Sequence, residues 1–170
     1  MLKNFLQGKW LGHPLHPALV HVPTALFPSA LLFDLLSFTG GNVFVRTSFC
    51  AIGLALLVVL VAVPTGLADW SSVKPGKPAR VIGRRHMLLN VLVTVLFAIN
   101  FLLRWNDRDA DHVSTMQLLL SLSGTGILLF SGYLGGLMVF DHGVAVARHS
   151  KSKWRAIAEA GKARLPEDGA

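Results

Sequence analysis

Charge is scarce in this chain. Asp, Glu, Lys and Arg make up 15% of its 170 residues, against about 25% in a soluble domain, while 52% of the residues are apolar. That ratio leaves too few ionic groups to solvate a globular surface. A single cysteine, Cys50, excludes a disulfide framework and any Cys-rich metal site. Nucleotide and nucleophile motifs are missing too: there is no Walker loop, dinucleotide fingerprint, nucleophile elbow or Ser/His/Asp order. Gly124-Thr125-Gly126 lies inside an apolar run and is no phosphate loop. Internal repeats and low-complexity stretches are not evident. Basic residues outnumber acidic ones, 16 to 9, for a net charge of +7. They bracket apolar runs instead of forming the stripe that binds nucleic acid.

What is present are four long apolar runs. A helix needs about 20 mainly apolar residues to cross about 30 Å of hydrocarbon, and four segments qualify, approximately 18–38, 49–68, 87–103 and 116–140. The loops between them, Thr39–Ser48, Asp69–His86 and Arg104–Thr115, each hold Gly, Pro, Asn or charge. The expected fold class is therefore all-α. It is an integral membrane four-helix bundle, a single four-span domain over 1–170. Lys3 and Lys9 resemble the charged start of a signal peptide. The run that follows is too long for one, carries Asp34 and lacks a small-x-small cleavage site, so it reads as a retained span.

Four spans put both termini on one side. That side carries thirteen of the 16 basic residues, and Arg46, Arg104 and Arg108 lie on the other. Positive residues stay cytoplasmic, so the expectation is a bacterial inner-membrane, multi-pass protein with both termini inside. Trp10, Trp70 and Trp105 sit at span ends like an aromatic belt. Helical spacing of Leu2, Phe5, Leu6 and Trp10 predicts an interfacial segment over 1–12. Trp154, Ile157, Ala158 and Leu165 repeat the pattern in the basic tail, 147–170. A solvated tail is the competing reading there.

The polar residues gather at the same end. His13, His16 and His21 enter the first span within Gly12-His-Pro-Leu-His-Pro-Ala-Leu-Val-His21. Asp69 and Trp70 close the second span, His86 opens the third, and Asp141 and His142 end the fourth. Convergence of sequence-distant groups at one level is how bundle sites are built. His86, Asn90, Thr94 and Ala98 recur every fourth residue, as do His21, Ala25 and Ser29, and both rows are expected to face the bundle interior. Gly132 and Gly136 are expected to let helices approach closely. Asp34 is expected to pair with Arg46 or Arg104 in a structural role.

Each position also has an ordinary reading. His13 and His16 precede prolines at a helix start, His86 adjoins Arg84 and Arg85, and a His at position 142 suits a helix C-terminus. His21, a turn inside the apolar run, is the hardest to explain that way. Taken together, the histidines suggest a bound cofactor or metal. A low-spin haem b needs two imidazoles from different helices at similar depth. His86 and His142 fit, with His21 as the competing ligand, Arg80, Arg84 and Arg85 facing the propionates, and Asn90 beside them. A single zinc, copper or iron ion is the alternative, held by His16, His21, His86, His142 and Asp69. The remaining readings are a quinone pocket and a non-redox structural subunit of a larger membrane complex. No catalytic residue is identified, and the chain reads as an electron-transfer or accessory subunit rather than a stand-alone enzyme. Besides the bilayer, its expected partner is a membrane or redox protein, or a second copy of itself.

The ordered set of motifs resembles one family. His13-Pro-Leu-His-Pro-Ala-Leu-Val-His21-Val-Pro, Gly66-Leu-Ala-Asp-Trp70, His86-Met-Leu-Leu-Asn90, Ser131-Gly-Tyr-Leu-Gly-Gly136 and Asp141-His-Gly-Val144 are similar to the bacterial four-helix membrane family catalogued as domain of unknown function 2231. The resemblance runs from Gly12 to Val146. It implies four membrane helices and, through relatives fused to Rieske iron–sulfur domains, a link with electron transfer. Its pattern falls on His13, His16, His21, Asp69, Trp70, His86, Asn90 and His142. With no Rieske domain in these residues, the electron partner is expected to be a separate chain.

Overall fold

A computed structural model describes residues 1–144 and Ala160; the tail expected to be interfacial, 147–170, otherwise lies outside the described residues. The elements are helix α1 (Leu2–Leu6), a 3-10 turn (Lys9–Leu11), and four long helices, α2 (Leu15–Gly40), α3 (Asn42–Trp70), α4 (Pro78–Arg104) and α5 (Thr115–Phe140). All four are long and apolar enough to cross a membrane. The described residues contain no strand. The fold is the all-helical bundle expected, and it lies in a lipid bilayer.

Helix α2 packs on α3 and α5, and α4 packs on the same two. The bundle is therefore a square in which α2 and α4 stand on opposite corners. Phe27 of α2 and Phe97 of α4 meet across that diagonal as stacked rings 3.9 Å apart. Around them Ala30, Ile52, Ala55 and Val93 are buried. Gly124 of α5 is needed there, since a Cβ on it would lie 2.7 Å from the Phe97 ring. On the outside, Leu32, Leu57, Leu60, Leu102 and Leu129 are exposed, as lipid-facing positions should be.

The helices run past their apolar cores. The first connection shrinks from the expected Thr39–Ser48 to one residue, Gly41, at φ +75°. Arg46, Thr47 and Ser48 stay helical because each finds a partner: Asp109 for Arg46, and the Val43 and Ala30 carbonyls for the two hydroxyls. Helix α4 starts at Pro78, nine residues ahead of the expected Met87, with proline in its first turn. Helix α5 opens on a capping box, Ser114 with Gln117. At the N-terminus, Phe5 and Trp10 stack at 5.5 Å and are exposed.

Two expectations about helix faces need correction. His21 and Ala25 are exposed and Ser29 is half-buried, so that row lies on the outer face. The interior positions of α2 are instead Pro23, Phe27, Ala30, Asp34 and Ser37, a register the prolines and the scattered polar residues concealed. Gly132 has nothing within 4 Å of its would-be Cβ, and Gly136 only Phe140 of its own helix at 3.9 Å. Close approach to α5 uses Gly124 and Gly135 instead.

Candidate functional site

The first polar centre is at the end where α2 and α4 begin. His86 of α4 places Nδ1 2.8 Å from the Ser131 carbonyl of α5. A carbonyl only accepts, so Nδ1 carries the hydrogen and Nε2 is left as a base. Asn90 lies one turn on, with Nδ2 3.2 Å from Nε2. Its two N–H groups go to nearer acceptors, the Ser131 hydroxyl at 2.7 Å and the His86 carbonyl at 2.9 Å. Gly135 makes room, since a Cβ there would sit 3.2 Å from His86 Cε1.

His16 of α2 repeats the arrangement on α3. Its Nδ1 is 3.0 Å from the Ala62 carbonyl, and Thr65 donates its hydroxyl to the same oxygen at 2.7 Å. A Cβ on Gly66 would come 2.7 Å from His16 Cε1. In both cases the glycine stands four residues after the accepting carbonyl, Ala62 before Gly66 and Ser131 before Gly135. Those two positions are neighbours on one helix face, so the missing side chain lets the ring lie flat enough to reach the carbonyl. The imidazoles thus come from opposite corners of the bundle, each with Nδ1 tied down. The Asp69 carboxylate lies near enough to His16 to act on it electrostatically.

The other expected site residues are distributed as follows. His142 is half-buried and lines a cleft of about 630 Å³ with Asp69, Asp141, Gln7, Lys74 and Lys77. His21 and His13 are exposed, as are Arg84 and Arg85. Arg80, a sequence candidate for a propionate, is engaged elsewhere: its guanidinium lies 4.3 Å over the Trp70 ring and donates to the Val73 carbonyl. Trp70 in turn donates to the Arg80 carbonyl at 3.0 Å. Among the described residues, no three His, Cys, Asp or Glu side chains gather where they could hold one metal ion.

A second polar centre lies near the opposite end. Arg104 and Asp34, both fully buried, form a two-bond pair at 2.7 Å each. Arg104 also donates to Asn100 at 2.8 Å, Ser48 at 3.0 Å and Ser121 at 3.2 Å. That makes five bonds for the five N–H groups of a guanidinium. Ser121 gives its hydrogen to Asp34 at 2.6 Å, and Asn100 donates to the Gln117 carbonyl. All four long helices contribute. Sequence reasoning left Asp34 between two arginines and counted Arg104 among loop charges. The missed signal is the four-residue spacing from Asn100 to Arg104, which stacks the two on one face.

With this geometry in hand, comparisons with known proteins place the chain. A family model described as predicted membrane protein (DUF2231) matches residues 12–148, so the chain belongs to that family. No curated protein and no solved structure matches it.

Proposed function

We propose that this DUF2231 member is an electron-transfer subunit of the bacterial inner membrane, holding a haem b between His16 and His86, with both termini cytoplasmic. One observation carries the reading: two imidazoles from opposite helices, at the same end of the bundle, each give Nδ1–H to a backbone carbonyl and keep Nε2 as a base. Ligating histidines are oriented by that kind of outer hydrogen bond. A bare ion asks three or four protein ligands, whereas a haem brings four nitrogens of its own and asks for two imidazoles.

Bound haem iron supplies one-electron redox chemistry; the chain supplies everything around it. Ser131, Asn90 and Gly135 fix the His86 ring, and Ala62, Thr65 and Gly66 fix that of His16. Asp69 contributes negative charge near His16. Arg84 and Arg85, exposed in the first turns of α4, offer cations for two propionates. His142 is the other candidate ligand beside His86, while His21, on the outer face, is left out of the pair. The single-ion reading is supported by the charge interaction of Asp69 with His16 and by the cleft that Asp69 shares with His142.

Burial of Arg104 sharpens the topology argument. Among the described residues, Arg46 and Arg108 alone remain as exposed Lys or Arg at the far end, and Arg46 is paired with Asp109. Among the described residues seven basic side chains, Lys3, Lys9, Lys74, Lys77, Arg80, Arg84 and Arg85, flank the histidine end, which supports a cytoplasmic placement. A basic face there also suits an acidic redox partner.

Absorption spectroscopy of the detergent-purified protein, with metal analysis, tests the reading. A Soret band with reducible α and β bands is expected, lost in both His16→Ala and His86→Ala and kept in His142→Ala. Loss in His142→Ala with retention in His16→Ala moves the second ligand to His142. A colourless protein with stoichiometric metal supports the single-ion reading. No chromophore and no metal leaves a structural subunit. A C-terminal reporter active only outside the cell overturns the orientation.

A further inference from the structure

We infer that the α2–α3 and α4–α5 hairpins are two copies of one unit, related by a pseudo-two-fold axis along the bundle, and that His16 and His86 are matching halves of one ligand site on that axis. The ligand's identity rests on the haem reading, whereas the pairing of the halves does not. A step of 70 residues carries α2 onto α4. Pro23, Phe27, Ala30 and Asp34, all buried, then fall on Val93, Phe97, Asn100 and Arg104, also buried. His16, Thr24 and Leu26 fall on identical residues, His86, Thr94 and Leu96. One residue less carries α3 onto α5. Ser48, Ile52, Ala55, Val59 and Ala62 fall on Gln117, Ser121, Gly124, Leu128 and Ser131, and all of them are buried. Of the buried positions of α5, Thr125 alone falls on a residue, Leu56, that is only half-buried.

The contacts repeat with the positions. In each hairpin the imidazole sets Nδ1 on a carbonyl of the second helix, Ala62 at 3.0 Å or its counterpart Ser131 at 2.8 Å. Gly66 and its counterpart Gly135 make room for the two rings. Ser48 bonds to Ala30, and the matching residues Gln117 and Asn100 are bonded as well. Across the bundle, two residues meet their own counterparts: Phe27 stacks on Phe97 at 3.9 Å, and Asp34 pairs with Arg104. In a two-fold arrangement, residues at the axis do that. Those contacts, at two depths, set the axis between α2 and α4. Both helices start at the histidine end, so it runs along the bundle. His16 and His86 therefore stand on either side of it, each with one Nε2 base. A single ligand serving both halves lies on the axis and offers the same attachment point on two opposite sides. The two axial positions of haem iron are of that kind. Other candidate histidines have no such counterpart: His21 falls on Val91 and His142 on Val73.

Free imidazole probes each half in turn. The full chain is purified in detergent as wild type, His16→Gly and His86→Gly, and thermal unfolding in the same detergent identifies any variant that fails to fold. Both variants are expected to lose the Soret band and to regain it in free imidazole, with midpoints within about threefold of each other. Recovery in one folded variant only, or a band kept by either without imidazole, overturns the pairing and leaves haem binding intact. Nitrogen NMR signals of the rings in the haem-free wild-type chain, located by their contacts with Gly66 and Gly135, need no chromophore and no variant. Both rings are expected to carry hydrogen on Nδ1 and none on Nε2. Different tautomers in the two rings overturn the pairing whatever ligand is bound. A wild-type chain without a Soret band but with matching tautomers rejects haem and supports the paired halves for another ligand of that symmetry.

Discussion

Arg104 and Asp34, seventy residues apart in the chain, close on each other through two parallel 2.7 Å bonds with no exposed surface on either side chain. In water-poor surroundings such a pair is tolerable only because every remaining N–H is also matched. Removing one partner leaves a buried ion without its counter-charge. Asp34→Asn or Arg104→Met is therefore expected to cost about 3–5 kcal/mol. The double change to leucine is expected to cost less than either single one. Thermal or chemical unfolding in detergent reads both, and additive losses in the double variant reject the coupling.

Arg46 and Asp109 provide the contrast. Their contact is also 2.7 Å, but the side chains are 60% and 59% exposed. Solvent screening and lost side-chain freedom offset most of the attraction. Arg46→Ala is expected to change stability by less than about 1 kcal/mol, measured in the same detergent. A loss comparable to that of Arg104→Met contradicts this assignment.

Gly66 and Gly135 are where the histidine geometry is most sensitive. Valine at position 66 drives a methyl group into the His16 ring, whose Cε1 lies 2.7 Å from the Cβ site. Overpacking of this kind costs about 1–3 kcal/mol, and the ring is expected to swing off the Ala62 carbonyl. Circular dichroism is expected to show the helices intact. The proposed Soret band is expected to fall. An unchanged band in a folded Gly66→Val variant argues against His16 as a ligand.

Ser131 separates backbone from side-chain roles. His86 is held by the Ser131 carbonyl at 2.8 Å, which alanine retains, while the hydroxyl accepts from Asn90 at 2.7 Å, donates to the His86 carbonyl at 3.2 Å and lies 3.0 Å from His86 Nδ1. Ser131→Ala is expected to cost about 1 kcal/mol and to leave any spectrum of bound haem in place. Asn90→Leu removes both short amide bonds and is expected to cost more, by the same unfolding measurement.

The four crossings and the clustering of histidines at one end were legible in the sequence, because apolar run length and the order of polar residues carry that information directly. Helix edges were not, since Arg46 to Ser48 and Pro78 to His86 look like loop composition until their partners are known. The facing of His21 was not legible because the polar residues of α2 are scattered around the helix between prolines, so periodicity says little about its register. Arg104 looked like a flanking cation of the positive-inside kind, and only three-dimensional proximity to Asp34 and Ser121 turns it into an interior group. The carbonyl-to-glycine spacing at Ala62/Gly66 and Ser131/Gly135 was visible as letters but had no meaning before the rings were seen against it.

Gly41 joins α2 to α3 alone, and its dihedral angles lie where other residues rarely go. A hinge that short forces the two helices to enter the bilayer together as a hairpin. It also leaves that surface of the bundle nearly bare, with only the stretch from Trp105 to Ser114 projecting beyond the helices. Beyond the spanning helices, that end then presents, among the described residues, mainly the ten-residue connection that carries Arg108 and Asp109.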